Sequence, residues 1–130
     1  MSTLAFRDAV VAHDHAALVA TLAPDVVFCS PAVHKPYAGR DATAFVLAGV
    51  LQVFEDFRYV DELHDGDRAV LRFRATVGDR EIEGVDLLTV GADGLVTELT
   101  VMIRPLSGLQ AVVEGMGRAL AALQEQGTGA

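Results

Sequence analysis

The stretch Ile82-Glu83-Gly84-Val85-Asp86-Leu87-Leu88-Thr89-Val90 decides the fold. It alternates with a period of two, which makes it a strand, and it puts Ile82, Gly84, Asp86, Leu88 and Val90 on one face. Every neighbour of Asp86 on that face is apolar or lacks a side chain. Its carboxyl group therefore points where a core or a pocket belongs. A charged carboxylate there is costly unless it is paired, hydrogen-bonded or protonated.

Strands flank this segment on both sides. Upstream, Ala69 to Val77 sets Leu71, Phe73, Ala75 and Val77 against Arg72, Arg74 and Thr76, and Gly78-Asp79 supplies a two-residue turn. The register of that turn places Leu71 opposite Asp86 and Phe73 opposite Gly84, with Arg74 opposite Glu83 on the other face. An earlier strand, Phe57 to His64, joins through a tight turn at Asp65-Gly66-Asp67. Downstream, Gly91-Ala92-Asp93-Gly94 turns the chain into a strand from Leu95 to Ile103, which Pro105 stops.

Helices precede and follow these strands. Thr3 to Leu22 has helical spacing through Leu4, Val10, Val11, Leu18, Val19 and Leu22. His13-Asp14-His15 divides it in two, with Asp14 the N-cap of the second helix. The residue before Pro24 resists the helical region, so the helix ends at Leu22-Ala23. Asp25 to Ser30 is a short strand, and Pro31 to Arg40 is loop. Asp41 caps a third helix, Ala42 to Val53. A last helix runs from Leu106 to Gln124, and Gln126 to Ala130 reads as a flexible tail. Residues 1–125 thus form one α+β domain, a curled antiparallel sheet wrapped around N-terminal helices and closed by a C-terminal helix.

Composition sets the outer limits. A chain of 130 residues with 52% hydrophobic residues can build one real core. A net charge of −8 argues against nucleic acid and anionic membranes as partners. The single cysteine, Cys29, excludes an internal disulfide and suits a reducing cytoplasm. No leader-like segment opens the chain and no apolar run is long enough to span a membrane. The absence of Trp leaves little for base stacking.

The order of elements, the opening helix followed by His13-Asp14, the step Leu22-Ala23-Pro24-Asp25-Val26-Val27-Phe28, the helix entry at Gly39-Arg40 and the strand holding Asp86 together resemble the nuclear transport factor 2-like superfamily. Within it, the chain is similar to the SnoaL-like and ketosteroid isomerase-like proteins, over roughly Leu4 to Arg104. The resemblance implies a cystatin-like cone with a cavity at the open end of the sheet. Its members include isomerases, dehydratases, cyclases, epoxide hydrolases and noncatalytic proteins, so the fold alone assigns no reaction.

Ketosteroid isomerase uses an Asp base together with a Tyr and a protonated Asp as oxyanion donors. Asp86 matches the protonated Asp. The Tyr position falls on Phe6, which has no hydroxyl, and the base position falls on Ser30, which cannot take a proton near neutral pH. Steroid isomerisation by that three-group mechanism is therefore not expected. What remains is Asp86 acting alone as general acid and base on a bound carbonyl compound. That reading resembles the SnoaL-type cyclases, where a single pocket Asp abstracts an acidic carbon-bound proton. Leu71, Leu88, Leu99 and Val101 are expected to raise the pKa of Asp86 by desolvation. A structural hydrogen bond to a hydroxyl or amide is the competing reading.

The inner faces sketch a cavity for a small hydrophobic molecule. Phe6, Phe28, Ser30, Phe54, Phe73, Leu99, Val101 and Ile103 line it around Asp86, with Val10, Leu47 and Leu51 behind them. His34 and Tyr37, in the loop at the expected mouth, are candidate ligand contacts. The competing reading is that these side chains fill the space as core. Nothing has the spacing of a metal site and no cofactor is expected. His13 and His15 read as surface residues, and Cys29 as a small buried one. Arg104 falls on the outer sheet face with Val85, Leu87 and Met102, and that exposed apolar area predicts a homodimer. Three function classes stay open: a cofactor-free isomerase, cyclase or hydrolase using Asp86, a noncatalytic binding protein for a small hydrophobic molecule, and a structural or interaction domain whose outer sheet face matters more than its cavity.

Overall fold

The computed structural model describes residues 2–128, and side chains over 5–126. Leu4 lies outside the described side chains, and Gly129 and Ala130 lie outside the described residues. The elements run α1 (Ser2–Val11), α2 (His15–Ala20), β1 (Leu22–Cys29), β2 (Tyr37–Ala38), α3 (Arg40–Val53), β3 (Glu55–Asp65), β4 (Arg68–Val77), β5 (Arg80–Val90), β6 (Val96–Arg104) and α4 (Leu106–Thr128). The strands form one curved six-stranded sheet in the order β2-β1-β6-β5-β4-β3. This is the α+β architecture expected, with β3 to β6 as an antiparallel meander.

The predicted register is present. Leu71 pairs with Asp86, Phe73 with Gly84 and Arg74 with Glu83. The turns that set it contain Gly66 and Gly78, at φ of 61° and 62°, a region that glycine enters without steric cost. Asp14 caps α2, its Oδ1 accepting from the Ala17 amide at 3.0 Å.

Several boundaries differ from the sequence reading. The second helix ends at Ala20, and Leu22–Pro24 already belongs to β1, because β1 reaches back along β6 to pair Leu22 with Val96. That pairing is parallel, so the sheet is not antiparallel throughout. The expected loop contains the two-residue strand β2, which pairs with Val27 and Phe28. The N-cap of α3 is Gly39, at φ of 95°, and Asp41 sits in the first turn instead, where a negative charge favours the helix dipole. α4 extends to Thr128, through part of the tail. His15 is half-buried, with Nε2 2.8 Å from the Ala44 carbonyl, and so ties α2 to α3.

All the helices pack on the inner face of the sheet. One core cluster joins Phe6, Val10 and Leu18 to Val26, Phe28, Leu71, Leu88 and Leu99, with Val46 and Leu47 from α3. A second joins Phe54, Phe73, Val77 and Ile82 to Val112 of α4. Fully burying a side chain of this size contributes about 1.5–3 kcal/mol, so the inner face sets the shape of the fold. Among the described residues no helix is long and apolar enough to cross a membrane.

Candidate functional site

The two clusters do not close on each other. Between the sheet, α1, α3 and α4 lies a cavity of about 270 Å³. Ten of the residues expected there line it: Phe6, Phe28, Ser30, Tyr37, Phe54, Phe73, Asp86, Leu99, Val101 and Ile103. His34 does not join them. It is exposed on the loop between β1 and β2, which turns its neighbours Pro31, Ala32 and Val33 to the wall instead.

Asp86 is 6% exposed and sits on the inner face of β5. The Tyr59 hydroxyl donates to its Oδ2 at 2.7 Å. Tyr59 belongs to β3, two strands away, and reaches Asp86 past Leu71 and Phe73 of β4. Its ring meets Phe57 edge-on at 4.9 Å between centroids and Phe73 at 6.4 Å, so the aromatic packing fixes the direction of the hydroxyl. The side-chain hydrogen bond expected of a purely structural Asp86 is therefore present. It occupies one carboxyl oxygen, at the wall of a cavity.

The electrostatics of the pair follow from burial. Loss of solvent raises the Asp86 carboxyl, the Tyr59 hydrogen bond lowers it, and the balance pushes it up to about 7. Burial, together with the charge of Asp86 and the hydrogen bond to it, holds the Tyr59 phenol well above its usual value. The proton of the hydrogen bond thus stays on Tyr59. Near neutral pH Asp86 is present in both protonation states, one able to donate and the other to accept through its second oxygen. Beside the pair, Arg7 of α1 donates to Glu62 of β3 at 2.7 Å and fastens the helix to the strand.

Tyr59 escaped the sequence reading for a definite reason. Counted through the turn at Gly66-Asp67, β3 pairs Asp61 with Arg72, and the same register would set Tyr59 opposite Arg74, on the outer face. A bulge at Val60 shifts the register by one residue, so Tyr59 lies opposite Phe73 on the inner face. The signal in the sequence was the adjacent pair Tyr59-Val60, where the alternation of Phe57-Arg58-Tyr59 breaks before Asp61-Glu62. Phe57 entered the wall by the same shift. From α4 the sequence also missed Val112, Val113, Met116, Gly117 and Leu120 as lining residues.

Polar groups on the wall are few: Ser30, Tyr37, Tyr59 and Asp86. The Ser30 Oγ accepts from the amides of Ala32 and Val33 at 3.3 and 3.2 Å, and so shapes the loop. Phe6 and Ser30, the positions of the missing donor and base, both face the cavity without supplying either group. Among the described residues no cluster of His, Cys, Asp and Glu has the makings of a metal site. Arg104 is on the outer face, 3.5 Å from Glu83. Cys29 is half-buried.

The profile of the SnoaL-like domain matches residues 3–99. The chain is similar to a steroid delta-isomerase from Pseudomonas aeruginosa, with 43% identity over 95% of this chain and 91% of that one and a TM-score of 0.90. It is also similar to an uncharacterised bacterial protein of cystatin-like fold from Silicibacter pomeroyi, with 34% identity over 90% and 83% of the two chains and a TM-score of 0.86. A nuclear transport factor 2-like protein of unknown function from Mesorhizobium loti shares 25% identity over 80% and 88%, with a TM-score of 0.71. No curated protein matches the chain.

Proposed function

The chain belongs to the SnoaL-like domain family, and on that premise we propose that its cavity holds a small apolar molecule by a carbonyl or phenolic oxygen, with Asp86 as the acid–base group of a cofactor-free isomerase- or cyclase-type reaction. One observation carries the reading: a carboxyl group pushed up to about 7 stands in an apolar cavity with one of its oxygens held by Tyr59. A general acid or base works best when its pKa lies near the working pH. Ionised Asp86 removes a proton from the carbon next to a carbonyl, which leaves an enolate in the cavity. Neutral Asp86 then returns that proton to another carbon or to the oxygen, and no external oxidant or reductant is needed. Tyr59 is a positioning residue in this scheme.

Likeness to a protein described as a steroid delta-isomerase supports proton transfer as the class of reaction. Phe6 and Ser30 speak against the three-group route of ketosteroid isomerase, so the work falls on Asp86. The test is a thermal-shift screen against apolar ketones, phenols and polyketide-like aromatics, repeated on Asp86→Asn. An enzyme keeps its affinity in that variant and loses turnover. A binding protein changes affinity and shows turnover in neither form. Absence of any hit on the wild type would overturn the reading.

The outer sheet face supports a homodimer as well. The helices leave it bare, and Leu63 and Met102 on it are 66% and 56% exposed. Exposed apolar area of this kind on a sheet marks a partner. A single half-buried cysteine and an acidic net charge of −8 fit action in the cytoplasm on a small molecule rather than on nucleic acid.

A further inference from the structure

The two ends of the cavity differ. The inner end holds the buried Asp86. The wall becomes exposed at Ala32 and Val33 of the loop after β1, and at Val113 and Gly117 of α4. These residues form its mouth, and its rim is apolar: Val33 and Val113 are 48% and 47% exposed.

Gly117 is the unexpected residue in that rim. Glycine inside a helix weakens it, so its presence calls for a reason. Close packing supplies the reason elsewhere in α4. A Cβ on Gly108 would lie 2.6 Å from Cγ2 of Ile82, and one on Gly115 would lie 3.0 Å from Cγ1 of Val53. A Cβ on Gly117 would meet nothing within 4 Å. Packing does not demand glycine there, and its φ is not in the left-handed region. Val113, Gly117 and Leu120 follow helical spacing along one face of α4, and all three line the cavity. A side chain at 117 would have open space at the exposed part of the cavity wall.

We propose that Gly117 sets the aperture of the cavity and selects an elongated ligand. The oxygen of that ligand meets Asp86, and its apolar body leaves between Gly117 and Val33. This rests on the reading of the cavity as the ligand site. It adds a shape to the ligand: a flat or chain-like apolar molecule with its polar group at one end, longer than the enclosed space.

The test uses 4-alkylphenols from methyl to octyl, with dissociation constants from calorimetry on the wild type, Gly117→Ala, Gly117→Leu, Val113→Phe and Asp86→Asn. Melting temperatures check folding. In the wild type, affinity rises by up to about fourfold per added methylene along the series. Gly117→Leu is expected to leave 4-methylphenol within about twofold and to weaken 4-octylphenol by about tenfold or more. Gly117→Ala shows the same trend more weakly. Val113→Phe, one turn away on the same rim, also penalises the long members, and it decides the matter if the leucine variant does not fold. Equal profiles for the wild type and the folded rim variants would overturn the aperture. Saturable binding of the phenols to the wild type would then leave the ligand site standing, with Asp86→Asn keeping that affinity if the site is catalytic. Failure of every phenol to bind the wild type would overturn both.

Discussion

Tyr59 and Asp86, on strands separated by β4, are joined by a 2.7 Å hydrogen bond from the phenol to Oδ2. Two opposing effects meet in this contact. Removal from water favours neutral Asp86, and the phenol favours its charged form. Burial wins, and the carboxyl settles at about 7, between an ordinary carboxylate and a permanently neutral acid. A fully buried carboxyl without a donor would stay protonated at neutral pH and serve only as an acid. Tyr59 thus keeps the charged form within reach, and with it a basic role.

The same balance makes stability depend on pH. Asp86 titrates near 3.8 when the chain is unfolded and at about 7 when folded. The folded state therefore binds more protons between these values, and stability from this group is complete below 3.8 and lost as pH rises through 7. The interval is worth up to about 4 kcal/mol. Asp86→Asn carries no such titration. Glu62 and Glu83, both lowered by neighbouring arginines, act in the opposite direction, and they cancel in a comparison of the two proteins. Urea unfolding at pH 5 and pH 8 should show the Asn variant gaining on the wild type by about 2–4 kcal/mol between the two values. Parallel curves would contradict the raised pKa.

Tyr59→Phe removes the one side-chain hydrogen bond that reaches Asp86 among the described residues and leaves the aromatic packing largely in place. The charged carboxylate loses its donor, so the pKa of Asp86 rises above its wild-type value. A carbon-13 NMR titration of the Asp86 carboxyl reads this directly. At pH 8 the variant should lose about 1–3 kcal/mol of stability, the cost of stranding a buried charged acceptor. At pH 5, where Asp86 is neutral in both proteins, the loss should be smaller. An unmoved titration would show that the hydrogen bond does not set the balance.

Asp86 was legible in the sequence because its strand alternates without interruption and its turn fixes the register. Tyr59 was not, because the bulge at Val60 moves it from the outer face to the inner one, and period-two counting has no term for an extra residue. The parallel pairing of β1 with β6 was hidden likewise, since it joins segments about seventy residues apart with no turn to announce it. The share of α4 in the cavity depends on where that helix docks, which its apolar stripe does not encode. Local patterns settled the elements, and long-range docking settled who faces the pocket.

Gly84 bears on the site through Phe73. A Cβ there would lie 2.5 Å from Cζ of Phe73 and 2.5 Å from the Met102 carbonyl oxygen. One of these neighbours is backbone and cannot yield cheaply. Gly84→Ala should cost about 1–3 kcal/mol by overpacking. It should also push the Phe73 ring against Phe57 and Tyr59, the rings that aim the phenol at Asp86. Urea unfolding gives the first effect, and the Asp86 titration the second. A variant as stable as the wild type would show that Phe73 has room to turn away.

The outer sheet face offers a prediction about assembly. Register places Arg58, Arg74, Glu83 and Arg104 in one row across β3 to β6, and Asp65, Arg68, Thr89 and Glu98 in another. Between them run Leu63, Val70, Leu87 and Thr100, and beside these the row Asp61, Arg72, Val85 and Met102. The first row is rich in arginine, with Glu55, Thr76 and Glu81 beyond it, and the second has more acid, with the apolar residues between the two rows. A twofold axis that sets the arginine row against the more acidic row of a second copy pairs unlike charges and buries the apolar residues between them. Light scattering at micromolar concentration should then report a dimer that weakens as salt rises. Met102→Glu, at a residue 56% exposed in the single chain, should give a folded monomer whose cavity still takes the same ligands. A wild-type monomer under these conditions would reject the dimer, and a dimer indifferent to Met102→Glu would place its interface elsewhere.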